Sequence, residues 1–290
     1  MNALKGCLIL LLSTFFLSLK VHASDSTLIN RLERYILAES GYKTRDHFFK
    51  TWSEGGKPAV VVYVTSKNSV GTFGQDKSMV IGCGYNEEHA KNVARRYDSL
   101  GYHTLIYKTY GTGRTELSPR FMSYSAESKS FIVLHEFIHH YTIDKKLNLP
   151  AEYHEALGDI LGNYGTIEFA DRSTHVSKGR AKAQRTRNER LYSAINKSIE
   201  KINTDSTQVD EVNSWCQRRI DRILKDDLFQ NDRFNYKVNN AYLFRYRSYT
   251  EKYFVLKKVL KKQKSIHGLL SIIEKAPSNA NGFEKYLQEL

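Results

Sequence analysis

The sequence predicts an α+β fold in which a small mixed sheet and helices form the first part of the chain and helices alone form the second part. Three runs rich in β-branched and aromatic residues, at 59–65, 79–83 and 103–107, predict strands. Apolar residues at helical spacing predict helices over most of the remainder. Of the 290 residues, 41% are hydrophobic and 26% are charged, which excludes a disordered polyampholyte and indicates a globular protein.

The first 23 residues predict a cleaved export signal. Lys5 supplies the positive start, residues 7–19 form a largely apolar run, and residues 21–23 (VHA) fit a small-residue cleavage site. An uncleaved N-terminal anchor is the alternative. No later stretch is long and apolar enough to span a membrane. We therefore expect an exported protein, periplasmic or secreted and of bacterial type, with no transmembrane segment in the mature chain.

Removal of this segment leaves two cysteines, Cys83 and Cys216. Too few cysteines remain for a disulfide-stapled miniprotein or a four-cysteine zinc ribbon. In an oxidising compartment the two thiols can pair. Two buried free thiols are equally compatible with the sequence, because the sequence does not show whether they are close in space.

In the first part, helices alternate with the predicted strands. A helix begins soon after residue 24 and ends at Gly41, which is suited to the residue after a helix. Asn86 is the predicted N-cap of a second helix, whose first turn carries Glu87 and Glu88 and which ends at Gly101. Two longer helices, over 128–146 and 151–169, follow and are separated by Pro150.

The second part of the chain is predicted to be helical and basic. We place a soft boundary at 171–178, between an α+β domain over 24–177 and a helical subdomain over 178–290. Helices are predicted over 179–203, 208–228 and 237–264, with a short final pair near Gly268 and Asn281. Residues 24–177 hold 18 Lys and Arg against 18 Asp and Glu, whereas residues 178–290 hold 24 against 13. An acidic partner or an anionic surface would therefore be attracted by the second part.

A potential metal-binding motif lies in the helix predicted over 128–146. Residues 135–139 read HEFIH, so His135 and His139 lie one turn apart on the same helical face and can bind one ion. Glu136 follows the first histidine and can take a proton from a metal-bound water. The neighbouring His140 is interpreted as a flanking residue. If the motif is taken by itself, the alternative is a chance string on a buried helix. However, a buried Glu beside two His without a metal would incur a heavy desolvation cost.

A third ligand is expected on the helix predicted over 151–169. Glu155, Gly158, Asp159 and Gly162 fall on one face of it. Each glycine weakens an isolated helix by about 1 kcal/mol relative to Ala, and close approach to the first helix would explain both. That approach brings Glu155 to the metal and Asp159 to the outer nitrogen of a ligand histidine. The alternatives for the third ligand are Glu152 and His154.

These motifs resemble those of the gluzincin zinc metallopeptidases, including the Glu-x-x-x-Asp motif of thermolysin-like members. The resemblance covers roughly residues 100–170. It implies a zincin-like fold with Zn²⁺ bound by His135, His139 and Glu155. It also implies Glu136 as the general base and Asp159 as the partner of a ligand histidine. An extended peptide or protein substrate would pair with an edge strand, for which residues 103–110 are the candidate.

The function expected from these features is an exported zinc metallopeptidase; whether it is an endopeptidase or an aminopeptidase is open. The alternatives are an exported zinc-binding scaffold without turnover and a basic surface-binding protein. The residue that would stabilise the oxyanion also stays open, and the candidates are Tyr164, His175, Tyr246 and Tyr249.

Two features are interpreted as structural. The basic run 178–190 is taken as a solvated helix face, with phosphate, anionic lipid or an acidic substrate as alternative partners. Tyrosines at 242, 246, 249 and 253 recur at helical spacing and are taken as core. Arg245, Arg247 and Lys252 lie beside that stripe, but no nucleic-acid module is recognisable and no nucleic-acid partner is expected.

Overall fold

The mixed α+β composition predicted from the sequence is confirmed in a computed structural model of the chain, which is mostly helical and carries one three-stranded sheet. The structure describes residues 27–46, 48–51, 58–71, 78–109, 117–225, 236–277 and 280–289. The predicted export signal, residues 1–23, lies outside the described residues. Within them, no helix combines the length and the apolar character needed to cross a membrane.

The sheet consists of β1 (Ala59–Ser66), β2 (Met79–Gly82) and β3 (Tyr102–Thr109) in the order β2-β1-β3. Both outer strands run antiparallel to β1, so the expectation of a mixed sheet is wrong for the described strands. The periodicity of a strand indicates which residues face inwards but not the direction of its neighbour. β2 and β3 are parallel to each other, with β1 between them and a helical crossover connecting them.

Nine helical segments lie in the described first part of the chain and at the start of the second part. They are α1 (27–40), α2 (Glu87–Ser99), α3 (Pro119–Ser123), α4 (Ala126–Asp144), α5 (Ala151–Ile160), a π-helical turn (Leu161–Gly165), α6 (Thr166–Ala170), α7 (Lys178–Thr204) and a 3₁₀ turn (Ser206–Gln208). Gly41, with φ +65°, follows α1, and Asn86 caps α2 by accepting a hydrogen bond from His89 N. Both predicted helix ends are thus confirmed.

The remaining helices are α8 (Val209–Lys225), α9 (Asn240–Thr250), α10 (Tyr253–Gln263), α11 (Ile266–Lys275) and α12 (Ala280–Glu289). The prediction of one helix over 237–264 is wrong, because α9 ends at Thr250. The carbonyl oxygen of Thr250 accepts a hydrogen bond from Nδ2 of Asn196, at 2.7 Å. A side chain on α7 therefore satisfies a backbone group at the end of α9, and sequence periodicity cannot report such a contact.

The two faces of the sheet pack against different parts of the chain. Val60, Val62 and Val64 face α2, where they meet Ala90 and Ala94 in a small separate core. The opposite face packs on α9, which also packs against α5 and α7. On this face the ring of Tyr63 lies 6.0 Å from that of Phe244. A helix from beyond residue 178 therefore lies directly against both the sheet and α5.

The cysteines occupy separate buried positions. Cys83 lies in the small core beside the sheet, and Cys216 lies in the main core on α8. Both thiols are free, so of the two alternatives for these residues the structure contains the unpaired one. Burial raises the pKa of the Cys216 thiol to about 11, which disfavours the reactive thiolate.

Candidate metal centre

The first motif lies on α4, a helix capped by Ser125, whose hydroxyl accepts a hydrogen bond from Ser128 N. The middle of α4 is enclosed on several sides because Val133, Leu134 and Ile138 belong to the main core. His135 is buried and His139 is half-buried. Glu136, the predicted general base, is also half-buried on the same helix. The helix thus holds two imidazoles at the edge of an apolar interior.

The predicted third ligand, Glu155, meets both histidines. Nε2 of His135 lies 3.3 Å from Nε2 of His139 and 3.3 Å from Oε2 of Glu155. The distance from Nε2 of His139 to Oε2 of Glu155 is 3.9 Å. Zinc–nitrogen bonds of about 2.0–2.1 Å in a tetrahedron place neighbouring donor atoms about 3.3 Å apart. The three donor atoms therefore have a spacing and a chemistry that fit one Zn²⁺ with a position left for water or substrate.

Close approach of α4 and α5 is made possible by two glycines. A Cβ atom at Gly158 would lie 2.8 Å from Cε1 and Nδ1 of His135, and one at Gly162 would lie 2.7 Å from the ring of Phe131. Such distances are shorter than van der Waals contact. The expected reason for glycine on this face, the approach of the first helix, is confirmed. It sets how far the carboxylates of α5 can reach towards the imidazoles.

Asp159 lies behind His135, on the side away from Glu155. It is fully buried, and its Oδ1 lies 2.9 Å from Nδ1 of His135. The hydroxyl of Tyr192, on α7, donates a hydrogen bond to Oδ2 of the same carboxylate. A carboxylate in this position fixes the tautomer and orientation of an imidazole, so that Nε2 is directed towards the other two donor atoms.

The pKa values of the two histidines in the centre are shifted in opposite directions. Burial alone would lower the pKa of His135, but Asp159 and Glu155 raise it to about 10. Burial, together with the charge on His135, lowers the pKa of His139 to about 4. Burial opposes ionisation of Glu155, yet hydrogen bonding and attraction from His135 hold its pKa below the ordinary value. Without a metal, the two carboxylates therefore favour the charged form of His135, and burial favours the neutral form of His139.

The alternative ligands lie beside the centre. The ring of His154 stacks on that of His139, with 6.4 Å between the ring centroids. His140 packs edge-on against Phe48 at 5.4 Å. Among the described residues, the cluster able to hold a metal consists of His135, His139 and Glu155, and it does not include Glu152 or His154. The structure thus brings together the three residues that the sequence selected, with His154 beside them.

One wall of the centre is formed by Tyr249 of α9, and the sequence did not predict its stacking on a ligand. The ring of Tyr249 stacks on His135, with centroids 6.1 Å apart and an interplanar angle of 20°. An Nη atom of Arg245 donates a hydrogen bond to the hydroxyl of Tyr249 at 3.0 Å. Tyr249 was one of four candidates for stabilising the oxyanion, and its ring contacts a predicted ligand. Arg245 was placed beside the tyrosine stripe, and it is buried together with it.

Arg245 is enclosed by tyrosine rings. Its guanidinium carbon lies 4.6 Å from the ring centroid of Tyr107 and 4.7 Å from that of Tyr249, with the rings of Tyr63 and Tyr246 each at 5.4 Å. Within the described part of the chain, no carboxylate lies within ion-pair distance of it. The interpretation of the tyrosine stripe as core is confirmed, because Tyr242, Tyr246, Tyr249 and Tyr253 are all buried. The position of Arg245 among these tyrosines in the sequence was the signal from which the cage could have been predicted.

The other oxyanion candidates have different surroundings. Tyr164 lies in the π-helical turn, and its hydroxyl donates a hydrogen bond to Oε1 of Glu189 at 2.9 Å. Tyr246 lies inside the tyrosine cluster, where its ring is 4.7 Å from that of Tyr242. His175 is half-buried in the turn before α7. Their assignment as oxyanion groups stays a prediction.

The strand proposed to pair with substrate is at an edge of the described sheet. β3 pairs with β1 on one side. On the other side, Asn239 Nδ2 donates a hydrogen bond to the carbonyl oxygen of Thr104 at 2.9 Å. Part of β3 is thus already bonded to the residue that precedes α9, and its use by a substrate stays a prediction.

Comparison with known proteins adds no relative. No protein-family model, no curated protein and no solved structure matches this chain. The assignment of the centre therefore depends on the donor geometry described above and on the resemblance of its two motifs to those of gluzincins.

Proposed function

We propose that this protein is an exported zinc-dependent metallopeptidase with a zincin-like catalytic domain of the gluzincin type. The observation that carries the proposal is the convergence of two imidazole nitrogens and one carboxylate oxygen from two adjacent helices. The first imidazole is backed by the buried carboxylate of Asp159. A structural site is usually closed by four protein ligands, whereas three ligands leave a position for chemistry.

The residues of the centre have separate roles in this proposal. When bound, zinc supplies a water whose pKa is near 7 and a Lewis acid for the substrate carbonyl. Glu136 would accept a proton from the attacking water and deliver it to the departing amine, acting first as general base and then as general acid. Asp159 holds the His135 ring in position, and Tyr192 holds Asp159.

The first experiment measures zinc per molecule in the purified chain without its export signal. The proposal expects about one zinc in the wild type and a large loss in both His139→Ala and Glu155→Ala. Glu152→Ala is the matched control, because Glu152 is a half-buried carboxylate on the same helix outside the ligand set. Retention of zinc in Glu155→Ala would move the third ligand elsewhere. Absence of zinc from the wild type would refute the metal centre.

The second experiment tests turnover separately from binding. Glu136→Gln preserves the shape of the side chain but removes its capacity to accept a proton. The proposal expects this variant to bind zinc as the wild type does and to lose cleavage of a peptide library by at least about a hundredfold. Equal zinc binding with no cleavage by either protein would favour the scaffold alternative. Export is tested independently, by expressing the full chain in a bacterium and determining the N-terminal sequence of the recovered protein.

A further inference from the structure

The antiparallel pair formed by α7 and α8 presents a basic face that lies outside the candidate metal centre. We call it the Trp215 face. It consists of one tryptophan and five cations: Arg190, Lys197, Lys201, Trp215, Arg218 and Arg219. All six side chains are exposed. The basic run predicted at 178–190 contributes only Arg190, whereas Arg187 in that run is buried.

Trp215 divides this face into two shallow hollows. One has a volume of about 270 Å³ and is bordered by Arg190, Lys197 and Arg219. The other has a volume of about 320 Å³ and is bordered by Lys197, Lys201 and Arg218. The indole is 41% exposed. An exposed large aromatic ring with cations on both sides is not needed for the core beneath it, where Val212, Cys216 and Ile220 are buried.

Most of the positive charge of the Trp215 face is left unpaired by the carboxylates that the structure describes near it. Within the described ranges, none of its five cations forms an ion pair. Glu189, which borders one hollow, directs its carboxylate to Lys257 Nζ at 2.7 Å and accepts a hydrogen bond from Tyr164. Glu211, in the first turn of α8, borders the other hollow. The face therefore retains most of its charge for an external partner.

We propose that the Trp215 face docks the protein onto an anionic phospholipid surface. Clusters of Lys and Arg on a helical face attract anionic headgroups, and the indole of tryptophan partitions to the boundary between headgroups and acyl chains. The hollows have room for headgroup phosphates on either side of the ring. The cations and the indole lie across two adjacent helices and not along one groove. A broad charged surface of this kind is complementary to a planar anionic partner.

Two other anionic partners fit this face less well. An extended acidic peptide bound by strand addition needs free backbone groups, and both elements of the face are helices. Single-stranded nucleic acid is held by several stacking rings along one groove, and this face offers one indole. These two classes are therefore outcomes of the test and not the proposal.

The test uses the full mature chain and vesicles of phosphatidylcholine with or without phosphatidylglycerol. The sequence has two tryptophans, so a Trp52→Phe background leaves Trp215 as the sole indole emitter. The proposal expects sedimentation with the anionic vesicles, a blue shift of Trp215 emission on binding, and weaker binding as the salt concentration rises. No blue shift with anionic vesicles would overturn it.

A matched pair of variants separates this face from the overall charge. Arg218→Glu with Arg219→Glu should weaken vesicle binding by at least about tenfold. Lys261→Glu with Lys262→Glu makes the same change in net charge on exposed positions of α10 and should leave binding nearly unchanged. Equal losses in both variants would show that charge alone binds the vesicles. Tighter binding of an acidic peptide or an oligonucleotide than of the vesicles would also overturn the proposal.

Discussion

Oδ1 of Asp159 lies 2.9 Å from Nδ1 of His135, while Oδ2 of the same carboxylate accepts the hydroxyl hydrogen of Tyr192. Three elements, α4, α5 and α7, thus meet in one chain of polar contacts. The carboxylate is fully buried, so its orientation is set by these partners and not by solvent. The position of the His135 ring is therefore coupled to a helix that supplies no ligand.

The first prediction concerns this chain of contacts. Asp159→Asn should weaken zinc affinity by about 10–100-fold, because an amide orients an imidazole less strongly and raises its basicity less than a carboxylate does. Tyr192→Phe should give a smaller loss in the same direction. Affinity is measured by competition with a chromophoric chelator. Asp171→Asn, at an exposed position, is the control and should bind zinc as the wild type does.

The second prediction concerns the contact between α4 and α5. Alanine is intrinsically better in a helix than glycine by about 1 kcal/mol, yet Gly158→Ala should lower the free energy of unfolding and the zinc content. Its Cβ would lie 2.8 Å from the His135 ring. Gly179→Ala is the control, because the nearest atom to its Cβ would be Ser177 Oγ at 3.8 Å. Chemical denaturation should give opposite signs for the two variants, and a stabilised Gly158→Ala would contradict the prediction.

The third prediction concerns the tyrosine cage around Arg245. Arg245→Lys should lower the free energy of unfolding by about 2 kcal/mol, because an ammonium is more strongly hydrated and cannot stack flat on the rings. Arg190→Lys changes an exposed arginine and should cost less than about 0.5 kcal/mol. Urea unfolding of both variants measures the difference. Equal stabilities would mean that the planar guanidinium is not required.

The fourth prediction concerns acid stability. Hydrogen bonds from Arg45 and Tyr42 lower the pKa of Asp144 from 3.8 to about 2. A carboxyl with a lowered pKa in the folded state contributes stability above its unfolded pKa, and this contribution is lost as the pH falls through the folded value. The free energy of unfolding should therefore fall between about pH 4 and about pH 2. This fall should be smaller in Asp144→Asn and in Arg45→Gln, and unchanged slopes in both would contradict the assignment.

The parts of the fold and site that were predictable from the sequence depend on local spacing. His135 and His139 are one helical turn apart, and Glu155 and Asp159 are also one turn apart, so their spacing alone predicts which side chains share a face. The close approach of the two helices was also predictable, because glycine is a poor choice on a helix face unless a neighbour comes near. The strands were recognisable from β-branched runs for the same local reason.

The remaining features depend on contacts between distant parts of the chain. Tyr249 was assigned correctly to the core, and Tyr192 falls within the helix predicted over 179–203, but periodicity does not identify which buried group each tyrosine meets. The carbonyl oxygen of Thr250, at the end of α9, accepts a hydrogen bond from Asn196, a residue of another helix. The burial of Arg245 required four tyrosines from two strands and its own helix. Local pattern contains none of this information, because each contact is fixed only when the helices pack.

The residues that supply the donor atoms of the centre are synthesised before the residues that enclose them. The donors come from α4 and α5, but Tyr192 and Tyr249 follow them in the sequence, on α7 and α9. During synthesis the imidazoles and carboxylates therefore emerge before the residues that orient and cover them. A chain ending before α9 would expose His135 to solvent on the side where Tyr249 stacks. The centre is thus completed late in the synthesis of the chain, and an incompletely synthesised chain lacks the complete centre.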